Sequence, residues 1–248
     1  MKFFKPTVQN TYITFDDRRI PAKIYREQRN NVRFSIGKKY AICRMPLVML
    51  PLEAEKHLAR FENWVRENFR KSERMQSNYF GKEYRDGDTL RVGKREYVIR
   101  ITPSVKKRHY ARLHGQEIHL ELTEDTPDNT RKVVSHLLSR VVAQDFLPEI
   151  TRRTDDWNDR YFNKDIIGVR LKYNKSNWGS CSTRGNVNLS TRLLFAPDDV
   201  IDYVIVHELA HLIEMNHSDR FWKIVSDIMP DYREKEIWLK KNGHLCNF

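Results

Sequence analysis

Residues His207-Glu208-Leu209-Ala210-His211 set two imidazoles four positions apart with a carboxylate beside the first. On a helix, residues four apart stand one turn above each other, so both rings face one way and can share a cation. Glu208 is turned about 100° from His207, too far to join the pair but suited to touch a water on the metal. Zinc takes nitrogen ligands at about 2.0–2.1 Å, and a catalytic site supplies three protein ligands and leaves one position open. His217, ten residues after His207, is the expected third ligand. Asn216, taking a left-handed conformation at the helix end, would swing it under the other two rings. Three carboxylates are rivals for that place. Glu214 follows only seven residues after His207 on the same helix, which reaches poorly, whereas Glu234 and Glu236 lie on a later one. The expected centre is one zinc ion (Zn2+) per chain on His207, His211 and His217, with Glu208 as the general base that takes a proton from a metal-activated water. His244, Tyr203 and Arg192 are candidates for stabilising the oxyanion.

These residues need a helix to carry them. Pro197-Asp198 opens one that is expected to run to about Met215, with Val204, Ile205, Leu209, Leu212 and Ile213 on its apolar positions. Ser218 caps the next, which Pro230 stops, and a last helix near Tyr232–Lys241 ends at Gly243. Upstream, Asn177–Gly185 is expected as a tight loop between strands Ile167–Tyr173 and Asn186–Ser190. A further helix begins with Thr126 as cap and Pro127 at its first position, and Pro148 is expected to break it. Before that, alternating segments flank Asp16-Asp17, Gly37-Lys38, Gly93-Lys94-Arg95 and His114-Gly115, the pattern of hairpins. Leu58, Phe61, Val65 and Phe69 mark one helix from Leu52 to about Gln76. The fold expected is α+β: a basic, β-hairpin-rich region with one long helix over residues 1–125, packed on a domain over 126–248 that holds the HExxH helix.

The chain has 248 residues and a formal charge of +12, unevenly spread. Residues 1–112 hold 27 Lys/Arg against 12 Asp/Glu, and residues 113–248 hold 18 against 21. Such a field attracts polyanions, so nucleic acid is a possible partner of residues 1–112, with Phe34 and Tyr40 available to stack on bases unless they belong to the core. No apolar run approaches the length of about 18 residues that a membrane helix needs, and Met1–Asn10 makes a poor signal peptide. Cys43, Cys181 and Cys246 lie far apart and are odd in number, which argues for reduced thiols in a cytoplasmic protein.

Trp178–Ser182 (WGSCS), Ala196–His211 (APDDVIDYVIVHELAH), Asn216–Trp222 (NHSDRFW) and Pro230–Leu239 (PDYREKEIWL) follow one another over about 75 residues. In order and spacing they resemble the YgjP-like metallopeptidases, relatives of the WLM and SprT-like zinc peptidases. The resemblance implies a zincin-like metallopeptidase domain, His207, His211 and His217 as ligands, Glu208 as base, and protein or peptide substrates. It also implies that the strand carrying Asn186 and Asn188 is the sheet edge on which a peptide backbone pairs. Asn177 departs from the basic residue usual before the Trp-Gly pair, which puts substrate preference in doubt. Trp178 and Cys181 are expected to pack beside the helix and shape the cleft rather than supply a nucleophile. The competing functions are a protease acting on nucleic-acid-bound proteins, as among SprT-like and WLM relatives, and a non-catalytic zinc-containing binding protein.

Overall fold

A computed structural model describes residues 6–37, 39–80, 82–105, 107–124 and 127–248. Lys38, Lys106 and the expected cap Thr126 lie outside these residues. Backbone contacts divide the chain into two compact units, Met1–Phe80 and Gly81–Phe248.

In the first unit, β1 (Thr7–Phe15) and β2 (Arg18–Glu27) form the expected hairpin, with Asp16 at φ 50° in its turn. A second hairpin, β3 (Arg33–Ile36) and β4 (Ala41–Pro46), joins it through a parallel β2–β4 pairing, giving the order β1-β2-β4-β3. Alternation along the strands puts Ile13, Phe15, Ile20, Ala22, Ala41, Cys43 and Met45 in one cluster with Phe61, Val65 and Phe69 of α1 (Pro51–Arg70). The single helix expected to reach Gln76 is interrupted. Ser72 accepts a hydrogen bond from the Met75 amide (3.2 Å) and starts a second helix, α2 (Glu73–Phe80). Phe34 packs on Phe61 and Trp64 at ring-centroid distances of 5.2 and 5.8 Å, so it is a core residue rather than a stacking platform. Tyr40 is exposed beneath the Lys23 ammonium, 4.1 Å from its ring centre.

The second unit opens with a sheet of β5 (Thr89–Val92), β6 (Arg95–Pro103), β7 (Tyr110–His114) and β8 (Glu117–Leu122) in the order β5-β6-β8-β7. Its inward residues Leu90, Val92, Ile99, Ile118 and Leu120 share one hydrophobic cluster with Val187, Leu189 and the HELAH helix. That shared core places the division between units at Phe80/Gly81 and not near residue 125. A shift from strand to helix in the sequence marks a change of element, and here it does not mark a change of core.

α3 (Pro127–Tyr161) runs through Pro148 without ending there. Proline removes one helical hydrogen bond at a cost of roughly 3 kcal/mol. Beyond it, Ile150, Thr154 and Asn158 are buried at four-residue spacing. Arg153 and Trp157 both bond Asp202 Oδ1, at 2.6 and 2.8 Å, and these contacts hold the second half helical. A second sheet has the order β10-β11-β9, from β9 (Gly168–Lys172), β10 (Gly179–Cys181) and β11 (Asn186–Ser190). The expected loop at 177–185 therefore contains a short strand. β11, carrying Asn186 and Asn188, lies between two partners and is not a sheet edge; β10 and β9 are. A short 3-10 helix (Thr191–Phe195) leads into α4 (Asp198–Ala210), α5 (Asp219–Ile228) and α6 (Tyr232–Asn242). Among the described residues, no helix is long and apolar enough to cross a membrane, and all three cysteines are free.

Candidate metal centre

α4 is anchored at its start and buried along its length. Asp198 pairs with Lys94 (2.7 Å) and Arg153 (3.0 Å), while Val200, Ile201, Val204, Ile205, Val206 and Leu209 are all in the core. The helix ends at Ala210, with His211 as its cap, and does not reach Met215. The turn beyond is built from tight amide bonds: Leu212 to the Leu209 carbonyl (2.9 Å), Ile213 to Ala210 (3.0 Å) and Glu214 to Ala210 (2.9 Å). Asn216 is not left-handed. Among the described non-glycine residues only Asp16 and Asn163 have positive φ, so tightening of the last turn redirects the chain instead. Ser218 then caps α5 by accepting from the Phe221 amide (3.4 Å).

That path brings His217 back to the helical pair. His217 Nε2 and His207 Nε2 are 3.0 Å apart, and one donor atom from each of His207, His211 and His217 lies within 4.8 Å of the others. Glu214 and Glu236 fall elsewhere, Glu214 4.0 Å from Arg220 and Glu236 2.7 Å from Lys240. Neither they nor Glu234 belong to the cluster, among the described residues. Phe221, fully buried, underlies all three rings at 4.9, 4.6 and 4.7 Å between centroids. Sequence reasoning placed Phe221 on the next helix but missed this role; the signal was its position four residues after His217.

The three histidines fit a metal. Nitrogen ligands at about 2.0–2.1 Å in a tetrahedron stand roughly 3.3 Å apart, close to the observed separation. Burial, then the neighbouring His211 and His217, push the His207 pKa down to about 3, and burial likewise lowers His211. Both rings are thus held neutral at pH 7, as ligands must be. His211 Nδ1 lies 3.2 Å from the Glu214 carbonyl, an outer contact that would fix its tautomer.

Glu208 is 4% exposed, and burial raises its carboxyl pKa to about 8. Its side chain presses against the backbone of Gly179 so closely that a Cβ there would stand 2.6 Å from Glu208 Cγ and 2.7 Å from Cδ. The sign of the Glu208 shift gives a prediction for chelator-treated protein. Between pH 4.5 and about 8 the native state keeps a proton that the unfolded chain releases, so stability from this group falls as pH rises through that window. Glu208→Gln is expected to melt well above wild type near pH 8.5 and close to it near pH 4.5. Equal melting temperatures at the higher pH would contradict the shift. His207 contributes equally to both proteins and cancels.

A cleft of about 610 Å³ opens over these groups, walled on one side by Asn177–Cys181 and on the other by Glu236, Leu239 and Lys240. Trp178 is wedged between the Arg192 guanidinium, 4.8 Å from its ring centre, and Gly243, where any side chain would collide with the indole. Burial and then Glu208 raise the Cys181 thiol to about 11, which suits a packing role better than a nucleophile. Of the oxyanion candidates, Tyr203 lines the cleft, with burial pushing its hydroxyl well above the usual range so that it remains a donor. Arg192 is committed to the carbonyls of Cys246 (2.7 Å), Gly243 (2.6 Å) and Lys175 (3.2 Å), and His244 is not among the lining residues.

A histidine trio beside a buried carboxylate on the floor of a cleft is an arrangement of the metallohydrolase class. The family model described as "YgjP-like, metallopeptidase domain" matches residues 30–242, and the chain belongs to this family. The UTP pyrophosphatase of Escherichia coli (strain K12) is 26% identical over 80 residues, which are 31% of this chain and 48% of that protein. The chain thus spans about half the length of that curated relative. Two solved metallopeptidase zymogens are also similar. Pyrococcus abyssi abylysin (26% identity, TM-score 0.34) covers 39% of this chain and 94% of its own. Methanocaldococcus jannaschii jannalysin (19%, TM-score 0.34) covers 37% and 94%.

Proposed function

We propose that this protein hydrolyses peptide bonds with one zinc ion held by His207, His211 and His217 and with Glu208 as general base. The observation that carries the reading is the convergence of the three rings, 3.0 Å between two of their nitrogens, beside the buried Glu208 in an open cleft. When bound, zinc supplies Lewis acidity and a water whose pKa falls from 15.7 to about 7. Glu208 accepts the proton of the attacking water and delivers it to the leaving nitrogen. Tyr203 is the candidate donor to the developing oxyanion.

The substrate backbone is proposed to add to β10. Trp178 accepts from the Ser190 amide (2.8 Å) and Ser182 donates to the Asn186 carbonyl (3.1 Å), so alternate residues 178, 180 and 182 face β11. Gly179 and Cys181 then direct their main-chain groups to the open edge, where an extended peptide can pair once the Asn177 amide, which donates to the Gly179 carbonyl (3.0 Å), gives way or shares it. The alternative substrate, a nucleoside triphosphate, fits the lining less well. Its ammonium, Lys240, is tied to Glu236 at 2.7 Å, and Glu208 adds a second carboxylate rather than positive charge.

The test is hydrolysis of an unfolded protein and of UTP by the zinc-loaded protein, with Gly179→Ala alongside wild type. Proteolysis without UTP turnover is expected; UTP turnover without proteolysis would overturn the reading. Gly179→Ala must displace Glu208, and misplacement of a catalytic group by about 1 Å costs on the order of 10²-fold. That loss should appear with zinc content unchanged. Activity at the wild-type level would remove Gly179 from the role of positioning Glu208.

A further inference from the structure

A second cleft, of about 400 Å³, lies where α3 crosses the C-terminal end of β9. Its lining shares no residue with the metal centre's cleft. His136, Arg140 and Gln144 follow one another at four-residue spacing, so one face of α3 presents an imidazole, a guanidinium and an amide in a row. Lys172 of β9 also lines the opening, and Leu147 and Leu171 supply apolar surface. Thr191, only 1% exposed, also lines the cleft, and its buried hydroxyl has no hydrogen-bond partner among the described residues. Buried hydroxyls are ordinarily bonded, so an orphan at the base of a cleft marks a place for a polar ligand atom.

The charge around it has one sign. The lining includes two basic side chains and no Asp or Glu. This holds although residues 113–248 carry 18 Lys/Arg against 21 Asp/Glu.

We propose that this cleft binds a small phosphomonoester with a flat apolar body, of mononucleotide size. Arg140 and Lys172 hold the phosphate, a guanidinium offering two parallel donors to its oxygens and the ammonium a point charge. Thr191 gives the hydroxyl donor, and Leu147 and Leu171 cover the ring. The volume falls within the range of about 300–1,000 Å³ usual for small-molecule sites. The proposal is independent of the peptidase reading.

Isothermal titration of the full-length protein with adenosine monophosphate, inorganic phosphate and adenosine tests it, before and after chelator treatment. The monophosphate is expected to bind about tenfold or more tightly than either fragment, because only it engages the cations and the apolar surface together. Binding should persist after chelation, which separates it from the metal centre. Arg140→Glu and Lys172→Glu, both at the rim, should each weaken it by about tenfold or more, and Thr191→Val by roughly tenfold. Thermal melts serve to confirm that each variant is folded. No binding of the monophosphate, binding as tight for adenosine, loss on chelation, or full affinity in a folded Arg140→Glu/Lys172→Glu double variant would each overturn it.

Discussion

Glu208→Gln is expected to lower peptide hydrolysis by about 10²–10⁴-fold while leaving the metal in place. The substitution conserves volume in a position with no slack, since Gly179 already lies against the side chain. It changes only what the group can do with a proton: an amide has no site to accept one. In the metal-free protein burial holds the carboxyl neutral, up to about pH 8. A dication beside it would favour the ionised form by direct attraction, so on the proposed reading the same residue would serve as a base with the centre loaded. Measuring kcat and zinc content together separates the two possibilities. Equal activity of the zinc-loaded wild type and variant would remove Glu208 from the mechanism. Loss of zinc along with activity would place Glu208 in metal binding instead.

How much of this could be read beforehand depended on whether a contact was local. The His207/His211 pair follows from helical period alone, and His217 from a chain reversal of few residues; the structure brings the three rings together. The means of reversal is not legible, because three carbonyl-sharing turns at 209–214 leave no compositional mark as a left-handed Asn would. Ser72 and Ser218 illustrate the same asymmetry. Ser218 stood at an obvious helix start, whereas Ser72 sits inside an apparently continuous amphipathic pattern and splits it. Pro148 is the opposite case. Its local penalty is outweighed by Arg153 and Trp157 reaching Asp202, a residue 45 or more positions away in sequence. The sheet edge was hidden too, since strand order depends on the parallel pairing of β9 with β11 across the intervening loop. Gly179 and Phe221 matter through neighbours distant in sequence or stacked in space, which no periodicity reports.

His217→Ala is expected to reduce zinc affinity by more than about 10²-fold, given that removing even an outer-sphere partner typically costs 10–100-fold. The wild-type protein should carry one zinc per chain, and the variant should lose it on dialysis. The geometry makes this residue the sensitive one. His207 and His211 are set by a buried helix whose packing does not need the metal, although all three rings rest on the fully buried Phe221. His217 sits on the exposed return segment, so its ring is the part of the centre that solvent can draw away. Two imidazoles left on the helix would hold zinc only weakly. Elemental analysis after dialysis against a competing chelator reads the difference directly, with His211→Ala as a second ligand variant. If His217→Ala retained full zinc, the third ligand would have to come from elsewhere. Glu236 is the carboxylate on the cleft wall, and its bond to Lys240 at 2.7 Å would then have to break. A Glu236→Gln variant with normal zinc, beside a His217→Ala variant without it, is the pattern expected of the three-histidine centre.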